Sequence, residues 1–292
     1  MTEVYSCVIC DGPIRFLRTA LVAPFLAQRI WGKTRQSVQL VECPSCGFRF
    51  YNPRLDEEEA DRLYAGYRSS EYQKMRQSFE PWYTATFNAN LASPSSFSKR
   101  RRNLAAILQQ HLPPSAKIGR ILDYGGDRGD LVQELIPGST AFVYDISGVA
   151  PVEGVTATAD PLNCRADLII NSNVLEHISY PRRLVADIMR AAPAGGFVFI
   201  EAPSESPFGG DRLLRRFAQM GIVALARPRL AFSILRPASL YLMHEHINYL
   251  NEHILIRLMK SFGSKILAHG RYASAEQSGK GVMVWVLGTG RP

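Results

Sequence analysis

Four of the five cysteines in this chain fall in two Cys-x2-Cys pairs, Cys7/Cys10 and Cys43/Cys46. Thiolates are soft, anionic ligands, and four of them satisfy a tetrahedral zinc ion at about 2.3 Å each. Such a set leaves no open position, so the zinc expected here is structural and not catalytic. Cys164 stands alone and reads as a buried apolar filler. A second chemical cluster is "ILDYGGDRGD" at 121–130, where an apolar run enters a glycine pair, two charged residues and a third glycine. Neither a dinucleotide G-x-G-x-x-G pattern nor a Walker loop is present. Asp123, Asp127 and Asp130 would repel a pyrophosphate and suit a ligand carrying a sulfonium and an ammonium.

Two more acids follow. "VYDIS" places Asp145 at the end of a second strand, where a carboxylate suits ribose hydroxyls. "ATADPL" offers Asp160 near the end of a third short strand as an acceptor for an adenine amino group. Histidines that could remove a hydroxyl proton are His177 in "NVLEHI" and His244 and His246 in "MHEHINYL", the latter two flanking Glu245.

These groups need elements to hold them. From residue 120 onward short apolar runs ("RILDY", "TAFVYD", "DLIIN", "GFVFIEA") alternate with helical patterns ("LVQELI", "YPRRLVADIMRAA"). That alternation predicts a parallel sheet with helices on both faces, an α/β fold. "DLIIN" and "GFVFI" are nearly continuous in apolar residues, as strands covered on both faces should be. "NEHILIRLMKSFG" predicts a helix capped by Asn251, and "SKILAHG" and "GVMVWVLG" predict two closing strands. Upstream, "NPRLDEEEADRLYAGY" predicts a helix capped by Asp56 with Glu59 three residues on. Residues 69–96 read as an aromatic, polar connector, and a further helix is expected over 98–112. Its opening "KRRR", Lys99–Arg102, reads as a solvated face. Residues 204–243 are apolar, basic and broken by proline, which predicts a lid insertion; arginines among apolar stretches also leave peripheral membrane contact open. The expected organisation is a zinc-ribbon-like module over 1–52, a helical connector over 53–97, and a larger domain over 98–292.

With these stretches in place, the chain resembles class I S-adenosylmethionine-dependent methyltransferases. "ILDYGGDRGD", "VYDIS", "ADLIINSNVLEHI" and "GGFVFIEAP" carry the resemblance, in the family's order, over roughly 100–290. It implies a Rossmann-like, mostly parallel seven-stranded sheet. It also implies cofactor binding by Asp123, Gly125, Gly126, Gly129, Asp145, Asp160 and Asn171. One departure stands out: the family usually has D-x-G-x-G-x-G, and Asp127 replaces the middle glycine. The cysteine pairs followed by "FRFYNPRLDEEEADRLYAGY" are similar to bacterial methyltransferases of sugar and surface-polysaccharide biosynthesis. "NVLEHI" and "MHEHINYL" are similar to motifs of zinc-containing enzymes acting on nucleotide-activated deoxysugars, though Met243 replaces a usual tyrosine. This narrower resemblance implies that His246, Glu245 and His177 serve the sugar site, with His246 as general base and His177 assisting.

Net charge is +8, which suits an anionic partner such as a nucleotide-linked sugar, a glycan or RNA. An RNA base methyltransferase would usually show an Asn-Pro-Pro-Tyr type motif after the fourth strand, and "NSNVLEH" stands there instead. Methylation of a small natural product is the third reading. No apolar run is long enough to span a bilayer and "MTEVYSCVIC" has no leader pattern, so a cytoplasmic location is the expectation. Acceptor identity and oligomeric state are not legible.

Overall fold

The computed structural model describes residues 1–33, 36–67, 69–91, 93–207, 217–218, 221–222, 225, 242–273 and 281–290. The chain divides into two compact units, the first comprising 1–91 and 206–249, the second 92–205 and 250–292. Residues of the cysteine segment and of the connector share one core, built from Phe25, Leu26, Leu40, Tyr51, Leu63, Tyr72 and Met243. The expected lid at 204–243 lies almost wholly outside the described residues.

In the first unit, β1 (Arg15–Val22), β2 (Ser37–Glu42) and β3 (Arg49–Asn52) form an antiparallel meander. Two later strands extend its edges. β9 (Leu242–Met243) runs parallel to β1, and β10 (Asn248–Tyr249) runs antiparallel to β3, so the order is β10-β3-β2-β1-β9. This sheet was not expected from the sequence. Helix α1 (Pro24–Trp31) buries Phe25, Leu26, Ala27 and Ile30. Helix α2 (Glu57–Tyr64) starts at the expected capping box: the Glu59 N–H donates to Asp56 Oδ1 at 2.9 Å and the Asp56 N–H to Glu59 Oε2 at 3.0 Å. Within the connector, the aromatic, polar stretch that showed little periodicity carries α3 (Ser70–Phe79) and α4 (Ala85–Leu91).

The second unit carries the expected seven-stranded sheet. Helix α5 (Pro94–His111) leads into β4 (Arg120–Tyr124), β5 (Thr140–Tyr144), β6 (Val155–Ala157) and β7 (Leu168–Ser172). Helix α6 (Pro181–Ala191) connects β7 to β8 (Phe197–Pro203), and α7 (Glu252–Lys260) precedes β11 (Ile266–Ala273) and β12 (Val282–Thr289). The order is β11-β12-β8-β7-β4-β5-β6, with β4 to β8 parallel and β11 and β12 antiparallel. The strand order reverses direction at β4, whose neighbours are β5 and β7, and a crevice at such a reversal is where these folds bind ligands. One crossover departs from expectation. Residues 126–138 form successive turns, and "LVQELI" is not a helix. Leu131, Val132 and Leu135 are buried as a helix would bury them, but Gly129 and Glu134 are left-handed, at φ +77° and +55°, which breaks the helical path. Among the described residues no helix is long and apolar enough to cross a membrane.

Candidate active site

The four cysteines meet. Cys7 Sγ lies 3.6 Å from Cys46 Sγ, Cys10 Sγ lies 3.6 Å from Cys43 Sγ, and all four sulfurs fall within 4.8 Å of one another. A tetrahedron with metal–sulfur bonds of about 2.3 Å has sulfur–sulfur edges of about 3.8 Å. Both knuckles are built alike. The Cys7 N–H donates to Gly12 O at 2.8 Å and the Cys43 N–H to Phe48 O at 2.8 Å; each turn closes through a left-handed residue, Asp11 or Gly47. The second knuckle is also the turn between β2 and β3. Burial pushes the Cys7 thiol up to about 12 and raises Cys46 as well, while at Cys43 hydrogen bonds from within the cluster outweigh burial and lower it.

In the second unit the acids gather at the carboxyl ends of β4 and β5. Asp123 is 2% exposed, and its Oδ2 has no hydrogen-bond partner. Burial drives its carboxyl up to about 7; Arg100 opposes this, while Asp145, Glu201 and Asp130 add to it. A Cβ on Gly126 would stand 2.1 Å from Asp123 Cγ, so only glycine lets the turn close over this acid. Gly125 and Gly129 have φ of +80° and +77°. Asp127, in the place of the family's middle glycine, takes a left-handed φ of +55°, which aspartate tolerates better than most residues. Its N–H donates to Asp145 Oδ2 at 2.8 Å, and the Ser147 N–H donates to Asp145 Oδ1 at 2.8 Å. Asp145 thus ties the glycine turn to the end of β5. Asn171 is fully buried; its Nδ2 donates to Tyr124 O at 2.8 Å and its Oδ1 has no partner. Asp160 caps a short 3-10 turn, accepting from the Leu162 N–H and from Asn163 Nδ2, each at 2.9 Å. His177 lies in the turn after β7, half-buried, with Nε2 3.8 Å from Glu176 Oε1.

The basic run did not stay in solvent. Lys99 and Arg102 are exposed, but the Arg100 side chain is only 11% exposed and donates from Nη2 to Ser172 Oγ at 2.7 Å. Arg101 donates to Asp130 O at 2.6 Å. Two arginines therefore turn toward the strand ends. A like-charged run in sequence does not reveal which members of a helix face inward.

Glu245 and His246 lie in the first unit, on a strap between β9 and β10. The Ala23 N–H holds Met243 O at 2.8 Å at one edge of the sheet, and the Tyr51 N–H holds Ile247 O at 3.1 Å at the other. Five strands laid flat span about 19 Å from first to last. The five peptide steps from Met243 to Asn248 reach about 18 Å at most. The sheet must therefore curl for the strap to cross it, and the strap bends at Glu245. Helix α3 grips the strap from the side. Tyr72 Oη and Arg76 Nη1 both donate to Glu245 Oε1 at 2.8 Å, Arg76 Nε donates to Glu80 Oε2 at 2.8 Å, and Glu80 Oε1 meets His244 Nε2 at 2.5 Å. The Arg76 guanidinium stacks over the Tyr83 ring, 3.9 Å from its centroid. Burial works to raise the Glu80 carboxyl, but His244 and Arg76 outweigh it and hold it below the usual carboxylate value. Glu245 is thus a fixed carboxylate, and half-buried His246 follows it on the strap. None of Tyr72, Arg76 and Glu80 stood out in the sequence, because their partners lie some 170 residues away.

The profile of a family described as methyltransferase domain matches residues 97–269. Solved structures similar to the chain include three methyltransferases. The N-methyltransferase NodS from Bradyrhizobium japonicum, in complex with S-adenosylhomocysteine, is 14% identical over 67% of this chain and 88% of its own, with a TM-score of 0.40. Magnesium protoporphyrin IX methyltransferase from Synechocystis is 12% identical over 78% and 97%, with a TM-score of 0.46. Human N-acetylserotonin methyltransferase is 15% identical over 80% and 70%, with a TM-score of 0.38. No curated protein sequence matches this chain significantly.

Proposed function

This chain belongs to the methyltransferase-domain family, and on that premise we propose that it methylates a hydroxyl of a nucleotide-linked sugar or glycan with S-adenosylmethionine as donor. The observation that carries the donor assignment is the buried Asp123, whose Oδ2 has no hydrogen-bond partner, beneath a glycine turn tied to Asp145. When bound, S-adenosylmethionine supplies an electrophilic methyl group on a sulfonium. Asp145 would hold the ribose hydroxyls, since each of its oxygens has taken one N–H and a carboxylate oxygen accepts two. Asp160 would hold the adenine amino group and Asp123 the ammonium, with Asn171 beside it and Arg100 opposite the carboxylate. Gly125, Gly126 and Gly129 keep the turn bare for close approach. Methyl transfer asks a protein mainly for alignment. The sugar hydroxyl must also lose a proton, which His246 would accept at an imidazole nitrogen. The strap anchored at Met243 and Ile247 and the fixed Glu245 beside His246 support that role, and His177 is assigned to acceptor binding.

Zinc is assigned to Cys7, Cys10, Cys43 and Cys46. Support comes from the sulfur spacing and from the soft, four-thiolate donor set. Closed coordination by four cysteines confines the ion to a structural part.

Calorimetry should show heat with S-adenosylmethionine and S-adenosylhomocysteine and none with NAD. Asp145→Ala should weaken either sulfur ligand by about 1–3 kcal/mol, from the unpaired ribose hydroxyls and a loosened turn. Silence with both ligands well above micromolar concentration would end the methyltransferase reading of this site.

Asp123 adds a pH test. A cation gains most from the ionised carboxylate. Affinity for S-adenosylhomocysteine should be full above about pH 7 and fall as pH drops through it, by at most tenfold per unit. Stability of the ligand-free protein should respond the other way. The folded carboxyl keeps its proton up to about 7, whereas its ordinary value is 3.8, so its contribution is lost as pH rises between these values. Asp123→Asn should flatten the binding profile; an unchanged acid limb in that variant would assign the titration elsewhere.

The charge of +8 supports one second reading, an RNA acceptor. Tight RNA binding with a steep salt dependence would move the assignment there.

A further inference from the structure

Asp123, Ser172 and Glu201 stand on neighbouring strands of the second unit. Ser172 is the register partner of Glu201, on β7 and β8, and Asp123 pairs with Ile170 two residues before Ser172. Glu201 interrupts the otherwise apolar run "FVFI" with a carboxylate that is 1% exposed. A charge buried in a central strand is costly unless each oxygen finds a donor. Both do: the Ser172 hydroxyl donates to Oε1 and the Tyr272 hydroxyl, from β11, donates to Oε2. Ser172 Oγ in turn accepts from Arg100 Nη2 at 2.7 Å, while Arg100 itself stays 3.9 Å from Glu201, too far for a direct hydrogen bond. The donors therefore run in one direction, from guanidinium to serine to glutamate, with the tyrosine closing the far side.

We propose that Glu201 is a positioning residue for the amino-acid end of the cofactor, holding the Arg100 guanidinium through Ser172 and being held itself by Tyr272. The proposal rests on the S-adenosylmethionine reading above. Three strand ends and one helix supply an anion at Asp123 and a cation at Arg100, the pair a zwitterion requires. Arg100 comes from a long side chain that could adopt many rotamers, and the Ser172–Glu201 bracket selects one. Glu201 also bears on Asp123. Among the charged groups facing that acid, Arg100 from α5 favours its ionised form. Asp145 from the end of β5, Asp130 from the turn and Glu201 from β8 oppose it.

The test is calorimetry on Glu201→Gln with two ligands, S-adenosylhomocysteine and 5′-methylthioadenosine, which keeps the adenosine and lacks the amino-acid end. At pH 8, where Asp123 is ionised in both proteins, the first ligand should weaken roughly tenfold or more, the scale of a lost hydrogen bond to a charged group. The second should stay within about twofold. The acid limb of S-adenosylhomocysteine binding should also move to lower pH, because one negative neighbour of Asp123 is gone. Tyr272→Phe removes one donor only and should shift the ligand preference the same way by a smaller factor, which serves if Glu201→Gln fails to fold. Equal weakening of both ligands, or full S-adenosylhomocysteine affinity with an unmoved limb, would overturn the proposal. A wild type that gives heat with neither ligand takes down the cofactor reading, and this proposal with it.

Discussion

Cys43→Ser should strip zinc from the protein and unfold the sheet of the first unit. Cys43 is fully buried and follows directly on β2; its knuckle forms the whole turn into β3. β3 in turn seats β10, through the Arg54 Nη2 to Asn248 Oδ1 bond at 2.7 Å and the Tyr51–Tyr249 hydroxyl pair at 2.9 Å. Structural zinc contributes about 10–16 kcal/mol in small cysteine modules near pH 7. A folded domain has about 5–15 kcal/mol of net stability to lose. Removing one ligand of four therefore threatens the whole five-stranded sheet, beyond the cysteine turn itself. Elemental analysis should find one zinc per wild-type chain and none in the variant. Hydrogen exchange should rise sharply over 37–52 and 244–249, while S-adenosylhomocysteine affinity, set by the second unit, stays within a few-fold. Wild-type protein purified without chelator and found free of zinc would defeat the assignment. A Cys43→Ser variant that keeps its exchange protection would show that the sheet stands without the metal.

How much of this was legible differs between the two units, for a physical reason. Parallel strands buried on both faces announce themselves as apolar runs, so "DLIIN" and "GFVFI" placed β7 and β8 and, with β7, the end where Asn171 sits. The first unit gives no such signal. The first half of β1, "RFLR", is largely open to solvent, and the sheet is completed by β9 and β10, more than 180 residues later in the chain. Pairing at that distance leaves no local periodicity to read. Where periodicity was present it could still mislead. "LVQELI" has a helical stripe, yet the left-handed Gly129 and Glu134 turn the same apolar residues inward without a helix. "KRRR" has no apolar residue to mark an inner face, so Arg100 was read as solvated although its aliphatic stem packs inward and its head reaches Ser172. Charged residues disclose their partners only in three dimensions.

His246→Ala should lower turnover by about 10²–10⁴-fold, the usual contribution of a positioned general base. With Met243 O and Ile247 O both hydrogen-bonded to the sheet, only His244, Glu245 and His246 lie between the anchors. His244 is spent on Glu80, and Glu245 on Tyr72 and Arg76. His246 is the member of the three that we assign to the acceptor hydroxyl, because imidazole is the side chain whose ordinary proton affinity suits that task near neutral pH. S-adenosylmethionine affinity should hold within a few-fold, since the acids of the cofactor site all come from the second unit. Glu245→Gln should also reduce turnover, but by loosening the hold of Tyr72 and Arg76 on the strap, so its loss should be accompanied by faster hydrogen exchange over 243–249. His246→Ala should leave that exchange unchanged. His177→Ala should act more on acceptor KM than on kcat. Once an acceptor is in hand, the pH–rate profile decides. Wild type should show an acid limb between roughly pH 6 and 7, the range of an ordinary imidazole. His246→Gln should lose the limb together with the rate. If the limb survives in the variant, the proton goes to another group, and the strap serves to position the acceptor without taking part in the chemistry.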